Sequence, residues 1–542
     1  MPARLCISTR EGRSTVSLLS NSAVQVGVSR RIHWNSHVER HAAMQPDRVA
    51  MRFEGASTTW AQLATRVSML SDAFAQRGVG AGDRVAVIMG NRPEFIETVL
   101  ATNRLGAIAV PVNFRLTGPE AAYIVNDCGA ILAVVDEFGL PIITAALPEV
   151  DQTIQVVVAD AECDGFESYA EVVSDGTLRQ AVDVPEESAA LIMYTSGTTG
   201  RPKGAVLSHL NLQAQAVTLM RAFDYIDEAE TNLIASPLFH IGAIGSVVPT
   251  IFVGGTLVIM PTGAFDATHL VDLLDTESVT SVFLVPTQWQ AVCESRSVTT
   301  RSLPRLRVLG WGAAPASDTL LRNMSRTFPG ARRIALFGQT EMSPVTCVLH
   351  DGDALEKLGS VGKPVSTVAM RVVDAQMNDV ATGEVGEIVY RGPGLMLGYW
   401  NNPAATEEAL RGGWFHSGDL VRVDGEGFVY VVDRAKDMII SGGENIYCAE
   451  VENVLSAHPD IAEVSLVGQP DPRWGETPVA FLVLRPGAHA PSIETLRSWA
   501  ASSLAKYKLP TTAEVVETLP RNASGKVLKD RLRASVTTGS VG

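Results

Sequence analysis

The stretch Tyr194–Gly204, YTSGTTGRPKG, decides how this chain folds and what it can hold. It closes the apolar run Ala190–Tyr194, whose length and composition are those of a buried strand, so the polar residues fall at a strand end. There the backbone N–H groups of Thr195, Ser196, Gly197, Thr198, Thr199 and Gly200 can converge on an anion, with Lys203 close behind. This is the composition of a phosphate cradle. It is not a P-loop: counting five from Gly197 reaches Pro202, where GxxxxGK[ST] requires its second glycine.

Outward from the loop the texture is α/β. Helical stretches such as Trp60–Arg77 alternate with apolar strands at Arg84–Ile88 and Ile131–Val135, and the alternation continues through Val279–Val285, Arg307–Leu309 and Arg332–Phe337. That pattern predicts parallel sheets covered by helices. From Gly359 to Arg434 short strands with Gly-rich turns take over, including Val421–Asp424 and Phe428–Val432, which predicts a β-barrel-like subdomain closed by hairpins. Beyond Lys436 come a helix (Ala449–His458), two strands (Ile461–Val467, Val479–Leu484) and a second helix (Ile493–Leu504), enough for a small α+β domain. The expected organisation is a flexible extension over 1–30, a large domain over 31–434 with the β subdomain at 359–434, a small mobile domain over 436–533 and a tail over 534–542.

Composition narrows the function classes. With 542 residues, 46% of them hydrophobic, the chain can bury a sizeable core in more than one domain. A net charge of −15 speaks against a surface that tracks nucleic acid. Six scattered cysteines without a CxxC pair predict a reduced, cytoplasmic protein. Thr231–Phe265 carries no Asp, Glu, Lys or Arg and has the length of a membrane span, but Pro237, Pro249, Gly254, Gly255 and Pro261 divide it into a buried strand, helix and strand. No transmembrane segment is expected. Gly392, Gly394 and Gly398 miss the dinucleotide GxGxxG spacing by one residue, Ser196 is not in a GxSxG elbow, and the histidines show no HExxH.

Further along stand Phe337–Glu341 (FGQTE), Trp414–Leu420 (WFHSGDL), Asp433-Arg434-Ala435-Lys436, Ser441–Ile446 (SGGENI) and Pro520–Lys526 (PRNASGK). In this order, and together with Tyr194–Gly204, they resemble the adenylate-forming superfamily of acyl-CoA synthetases, peptide-synthetase adenylation domains and luciferases. The resemblance spans about Trp34–Leu532 and is greatest to the fatty-acid CoA ligases. It implies ATP, Mg²⁺ and coenzyme A. The Thr195–Gly200 loop and Lys203 would meet the β- and γ-phosphates, and Phe337, in place of the frequent Tyr, would stack on adenine. Gly312, Ala313, Gly338 and Gln339 fall among the nucleotide contacts, Thr340 meets the α-phosphate, and Glu341 helps hold Mg²⁺, a hard ion suited to carboxylate oxygen. A carboxylate also suits a vicinal diol, and the resemblance gives Asp419 the ribose hydroxyls, with Arg434 beside it. It makes Lys436 the hinge and places Gly442 and Gly443 along a pantetheine tunnel. Lys526 matches the lysine that holds the attacking carboxylate and offsets transition-state charge.

Peptide-synthetase domains usually carry Asp where this chain has His240, after Phe239, to pair with an amine. Here Ile241, Ala243, Ile244 and Phe283–Val285 are apolar, which favours an uncharged acyl chain, with His240 and Trp311 as pocket residues. No carrier domain follows Lys526 before Gly542, which favours free CoA as acceptor. The expected reaction is a fatty acid plus ATP and CoA giving acyl-CoA, AMP and pyrophosphate through acyl-AMP. An acyl-AMP ligase serving a separate carrier protein, a luciferase-like oxygenase and a non-enzymatic nucleotide-binding protein are the alternatives. The sequence gives no oligomeric state; a homodimer is compatible with it.

Overall fold

The computed structural model describes residues 31–537 except 32, 160–164, 196–200, 315, 435–436, 442–443, 502 and 522–526. Ser196, Gly197, Thr198, Thr199, Gly200, Lys436, Gly442, Gly443 and Lys526 therefore lie outside the described residues, as do the extension over 1–30 and the last five residues of the tail.

Local signals start and stop the helices. Thr59 opens Trp60–Gln76: its hydroxyl accepts from the Gln62 N–H at 3.3 Å, and the Gln62 side chain takes the Thr59 N–H at 2.8 Å. Ser208 and Asn211 make the same reciprocal pair at the start of His209–Phe223. Gly129, left-handed at φ 62°, closes Gly118–Cys128.

Two sheets result. In the first, Ala189–Thr195, Ile108–Pro111, Arg84–Ile88, Leu132–Val135, Gln155–Val158 and Glu167–Ser168 lie parallel, side by side. Lys203–Ser208 folds back antiparallel on Ala189–Thr195. The second sheet has a parallel centre of Val49–Phe53, Thr256–Ile259, Thr231–Ile234, Ser281–Leu284, Val308–Gly312 and Arg332–Gly338. It then turns antiparallel through Val345–Leu349 and Ser360–Pro364 and continues into Val429–Arg434, Phe415–Val423, Gly386–Arg391 and Ala369–Val373. The β-rich stretch after Gly359 is thus continuous with the second sheet. One of its segments, Gly398–Tyr399, leaves it and pairs with Lys203–Ser208 at the edge of the first.

The uncharged run becomes strand, helix and strand at Thr231–Ile234, Ile241–Val253 and Thr256–Ile259. Its helix passes through Pro249 instead of stopping there, and ends at left-handed Gly254. Among the described residues no helix is long and apolar enough to cross a membrane. Cys128, Cys293, Cys347 and Cys448 are free thiols. In the small C-terminal domain Ile461–Asp471 and Gly475–Leu484 form a long antiparallel pair, flanked by Ile439–Ser441, Glu444–Ile446 and Thr512–Val515. The helices Cys448–Ser456 and Ile493–Ala500 share its buried apolar cluster.

The helix Trp34–Met44 and its N-cap carry His33, His37 and His41 one turn apart, all buried. The His33 ring lies 4.7 Å from that of buried His209, His37 stacks on Phe252 at 3.9 Å and His41 meets Trp60 at 4.8 Å. Burial, followed by the neighbouring His41, Arg40 and His33, holds His37 down at about 4, and burial next to His33 holds His209 at about 3. Above the ordinary value of 6.5 both folded and unfolded chains carry these rings neutral, so stability is full there. Below it the unfolded chain takes protons that the folded one refuses, and stability falls until the folded values are reached. Thermal melts from pH 7 to 5 are expected to lose on the order of 1 kcal/mol per histidine per pH unit, and His37→Phe should make that loss shallower.

Candidate active site

The parallel strands of the second sheet deliver the first group of side chains at their C-terminal ends. Arg332–Gly338 ends in Phe337 and Gly338 and runs into one 3₁₀ turn, Thr340–Met342. A Cβ at Gly338 would stand 1.8 Å from the Pro344 carbonyl oxygen, so only glycine lets the chain double back here. The Gln339 N–H then donates to that oxygen at 2.9 Å, and the Gln339 amide nitrogen Nε2 is buried with no hydrogen-bond partner among the described residues. On the adjacent strand Gly312 pairs with Leu336, followed by Ala313 at φ 64°, an unusual angle for a side-chain-bearing residue.

The first sheet brings the phosphate-loop stems to the same region. Thr195 lies opposite Lys203, its hydroxyl 3.4 Å from the Lys203 carbonyl oxygen, across the two strands that flank the loop. Gly204 must lack a side chain, because a Cβ would come within 2.7 Å of Ile192 and 3.1 Å of the Tyr194 ring. Between the sheets stands Tyr399. Its hydroxyl donates to Glu341 Oε1 at 2.9 Å, and its ring lies under the Lys203 ammonium, 5.2 Å away. Burial, then the Glu341 charge, pushes the phenol far above its usual range, so it remains a donor.

On the antiparallel strands Asp419 and Arg434 face each other, Arg434 Nε 2.6 Å from Asp419 Oδ1. Asp419 is buried while Arg434 is half-buried. Glu387 organises the preceding turn: one oxygen is 2.7 Å from His416 Nδ1 and the other accepts from the Gly418 N–H at 3.0 Å. At the junction with the small domain, Asp433 accepts from the Cys448 N–H at the start of Cys448–Ser456. Burial pushes Asp433 up to about 6, against the pull of Lys529.

The loop before Ile241–Val253 carries Phe239 and His240. The Phe239 ring lies edge-on to Phe114 at 5.3 Å and meets the His240 ring at 4.5 Å. Burial, then the Arg115 charge, holds His240 down at about 4, so its ring is neutral at pH 7, with Nε2 buried and without a partner among the described residues. Asn91 clamps this loop to the first sheet: its Nδ2 donates to the Ser236 carbonyl at 3.0 Å and its Oδ1 accepts from the Leu238 N–H at 2.8 Å. Asn91→Ala is expected to raise the acid KM about 30-fold with the ATP KM unchanged, since two hydrogen bonds at about 1 kcal/mol each disappear; steady-state kinetics in both substrates measure this.

Trp311 packs in the core of the second sheet. Its indole is buried in the cluster that holds Leu284, Trp289 and Ala335, and strand alternation puts it on the face opposite Gly310 and Gly312. It is Phe283 that lies beside those glycines, 3.2–3.3 Å from where their Cβ atoms would be. Sequence reasoning missed Tyr399, Glu387 and Asn91. No local motif marks them; their partners lie 58, 29 and 147 positions away.

The assembled groups include the Lys203 ammonium, one half-buried carboxylate on a 3₁₀ turn, a buried Asp paired with Arg, and the aromatic rings of Phe114, Phe239 and His240. Comparison with known proteins agrees with that chemistry. Residues 38–400 match the AMP-binding enzyme family and residues 450–526 match the AMP-binding enzyme C-terminal domain. The chain is 40% identical over 502 residues to a feruloyl-CoA synthase of an Amycolatopsis species, covering 91% of this chain and 97% of the relative. It is 37% identical over 503 residues to an indoleacetate–CoA ligase of Aromatoleum aromaticum, covering 92% and 97%. The crystal structure of the anthranilate CoA ligase AuaEII with anthranoyl-AMP superposes with a TM-score of 0.85 at 25% identity, covering 94% and 99%. The chain belongs to the AMP-binding enzyme family, in the class of AMP-forming acid–thiol ligases. Such a ligase joins a carboxylic acid to AMP at the expense of ATP and passes the acyl group to CoA.

Proposed function

We propose that this ligase activates a carboxylic acid bearing an aromatic ring and forms its CoA thioester. The observation that carries this reading is the aromatic cluster at the loop before Ile241–Val253, where the Phe239 ring stands edge-on to Phe114 and meets the neutral, buried His240 ring, whose Nε2 has no partner among the described residues. Aromatic faces and edges of that kind suit a planar ring. The named substrates of the similar ligases, ferulate, indoleacetate and anthranilate, support it. A fatty acid is the second reading, favoured by the uncharged, buried lining from Ile241 to Ile244.

In this reading Lys203 and the Thr195–Gly200 loop hold the β- and γ-phosphates, Phe337 stacks on adenine, and Gly312, Ala313, Gly338 and Gln339 border it. Thr340 donates to the α-phosphate, and Asp419, oriented by Arg434, accepts from the ribose hydroxyls. Among the described residues no group of three or more His, Cys, Asp or Glu could hold a metal ion, and Glu341 would be the carboxylate that helps hold Mg²⁺ beside the triphosphate. That suits Mg²⁺, which keeps several waters and, when bound, offsets the triphosphate charge. Lys526 steadies the attacking carboxylate against the α-phosphorus. Acyl-AMP forms as pyrophosphate leaves; the small domain then turns about Lys436, and the CoA thiol, led past Gly442 and Gly443, displaces AMP. The domain boundaries proposed with this cycle are 31–434 and 436–533.

The test is CoA-dependent AMP and thioester formation across acids from acetate to long-chain and aromatic. Cinnamate- or arylacetate-type acids should lead in kcat/KM. A lead for long-chain acids hands the site to the fatty-acid reading; acyl-AMP accumulating with no CoA thioester points to a carrier-protein acceptor, and oxygen uptake with light to an oxygenase.

A further inference from the structure

Five consecutive residues, Met396–Trp400, strap the turn that bears Glu341 to the strand that begins with Lys203. At one end the Met396 N–H donates to the Glu341 carbonyl at 2.8 Å. At the other the Leu397 N–H donates to the Val206 carbonyl at 2.8 Å and the Trp400 N–H to the Gly204 carbonyl at 2.7 Å, with Tyr399 opposite Ala205. The Tyr399 side chain repeats the connection. Its hydroxyl donates to Glu341 Oε1 while its ring faces the Lys203 ammonium.

A lysine and a glutamate that serve one triphosphate carry opposite charges and attract each other. If they paired directly, each would neutralise the other, and the pair would have to break before phosphate and metal could bind. Among the described residues Lys203 makes no ion pair, and Tyr399 offers each charge a separate partner: a ring face for the cation and a hydroxyl for the carboxylate. The hydroxyl occupies one Glu341 oxygen and so sets the direction of the other. Partners of this kind orient a metal-binding carboxylate without touching the metal.

We propose that Tyr399 is a positioning residue for the adenylation step: it orients Glu341 toward Mg²⁺ and keeps Lys203 separate from Glu341. This rests on the roles given above to Lys203 and Glu341. Tyr399→Phe keeps the ring and loses the hydroxyl; Tyr399→Leu loses both. ATP is titrated calorimetrically, without acid or CoA, over a range of MgCl₂ concentrations and in EDTA. Tyr399→Phe should raise the Mg²⁺ concentration for half-saturation about tenfold while leaving metal-free ATP binding unchanged. Tyr399→Leu should also weaken metal-free ATP binding, because Lys203 is then released to pair with Glu341. Combined with Glu341→Gln, Tyr399→Phe should add no further shift. If Glu341→Gln moves the Mg²⁺ requirement and Tyr399→Phe does not, the Tyr399 inference alone is overturned. If Glu341→Gln leaves it unmoved, the role given to Glu341 fails and the inference with it. A purely structural role would lower the melting temperature without changing the Mg²⁺ curve.

Discussion

Lys526→Ala is expected to slow acyl-AMP formation about 10²- to 10³-fold, the usual cost of removing one preorganised charge-stabilising group from a transition state. Transfer from supplied acyl-AMP to CoA should continue at close to the unmutated rate, because the lysine is assigned to the first half-reaction only. Lys529, three positions on, is engaged elsewhere. Lys529 is held 2.8 Å from Glu452 Oε1 and is mostly buried, while Arg521 and Val527 pair across the segment between them and the Leu528 N–H donates to the Pro520 carbonyl at 2.8 Å. Pyrophosphate exchange and single-turnover thioester formation separate the two halves. Equal losses in both would remove Lys526 from its assigned role.

Asp419→Ala is expected to raise the ATP KM by at least about 100-fold with a smaller change in the acid KM, since two hydrogen bonds to a charged acceptor, at roughly 1.5–3 kcal/mol each, are lost. The change should leave the fold intact. Arg434, which loses its ion pair but keeps the Ser417 carbonyl at 3.4 Å, is only half-buried and can turn to water, and the strands remain paired through their backbones. Asp419→Asn should recover little, because an amide presents one acceptor oxygen where the carboxylate presents two. An ATP KM unchanged in both variants would show that Asp419 serves Arg434 and not the ribose.

Much of this was legible along the chain. Arg84–Ile88 is the strand its apolar run predicts, Trp60–Gln76 ends one residue before the predicted helix, and the uncharged run divides into strand, helix and strand as its Pro and Gly residues foretell. These features are local, set by side-chain periodicity and turn chemistry within a few residues. Pro249 predicts a break, yet the helix runs through it: the helix is buried on a sheet, and tertiary packing outweighs the missing donor. Trp311 shows a related limit. Alternation tells which residues share a strand face, but which face meets the recess depends on the neighbouring helices.

Residue types determine which groups are on offer, the polar loop after Tyr194, the cation at Lys203 and the carboxylate at Glu341, and they mark the family. The order of strands in the sheets, which no local pattern encodes, decided how those groups meet. Gly398–Tyr399 crosses from a stretch continuous with one sheet to the edge of the other, and only through that crossing does a tyrosine 58 positions from Glu341 come to touch it and to face Lys203. Backbone pairing between distant segments yields free energy only once the whole sheet has formed, so contacts of this range are properties of the fold and not of any one stretch of sequence.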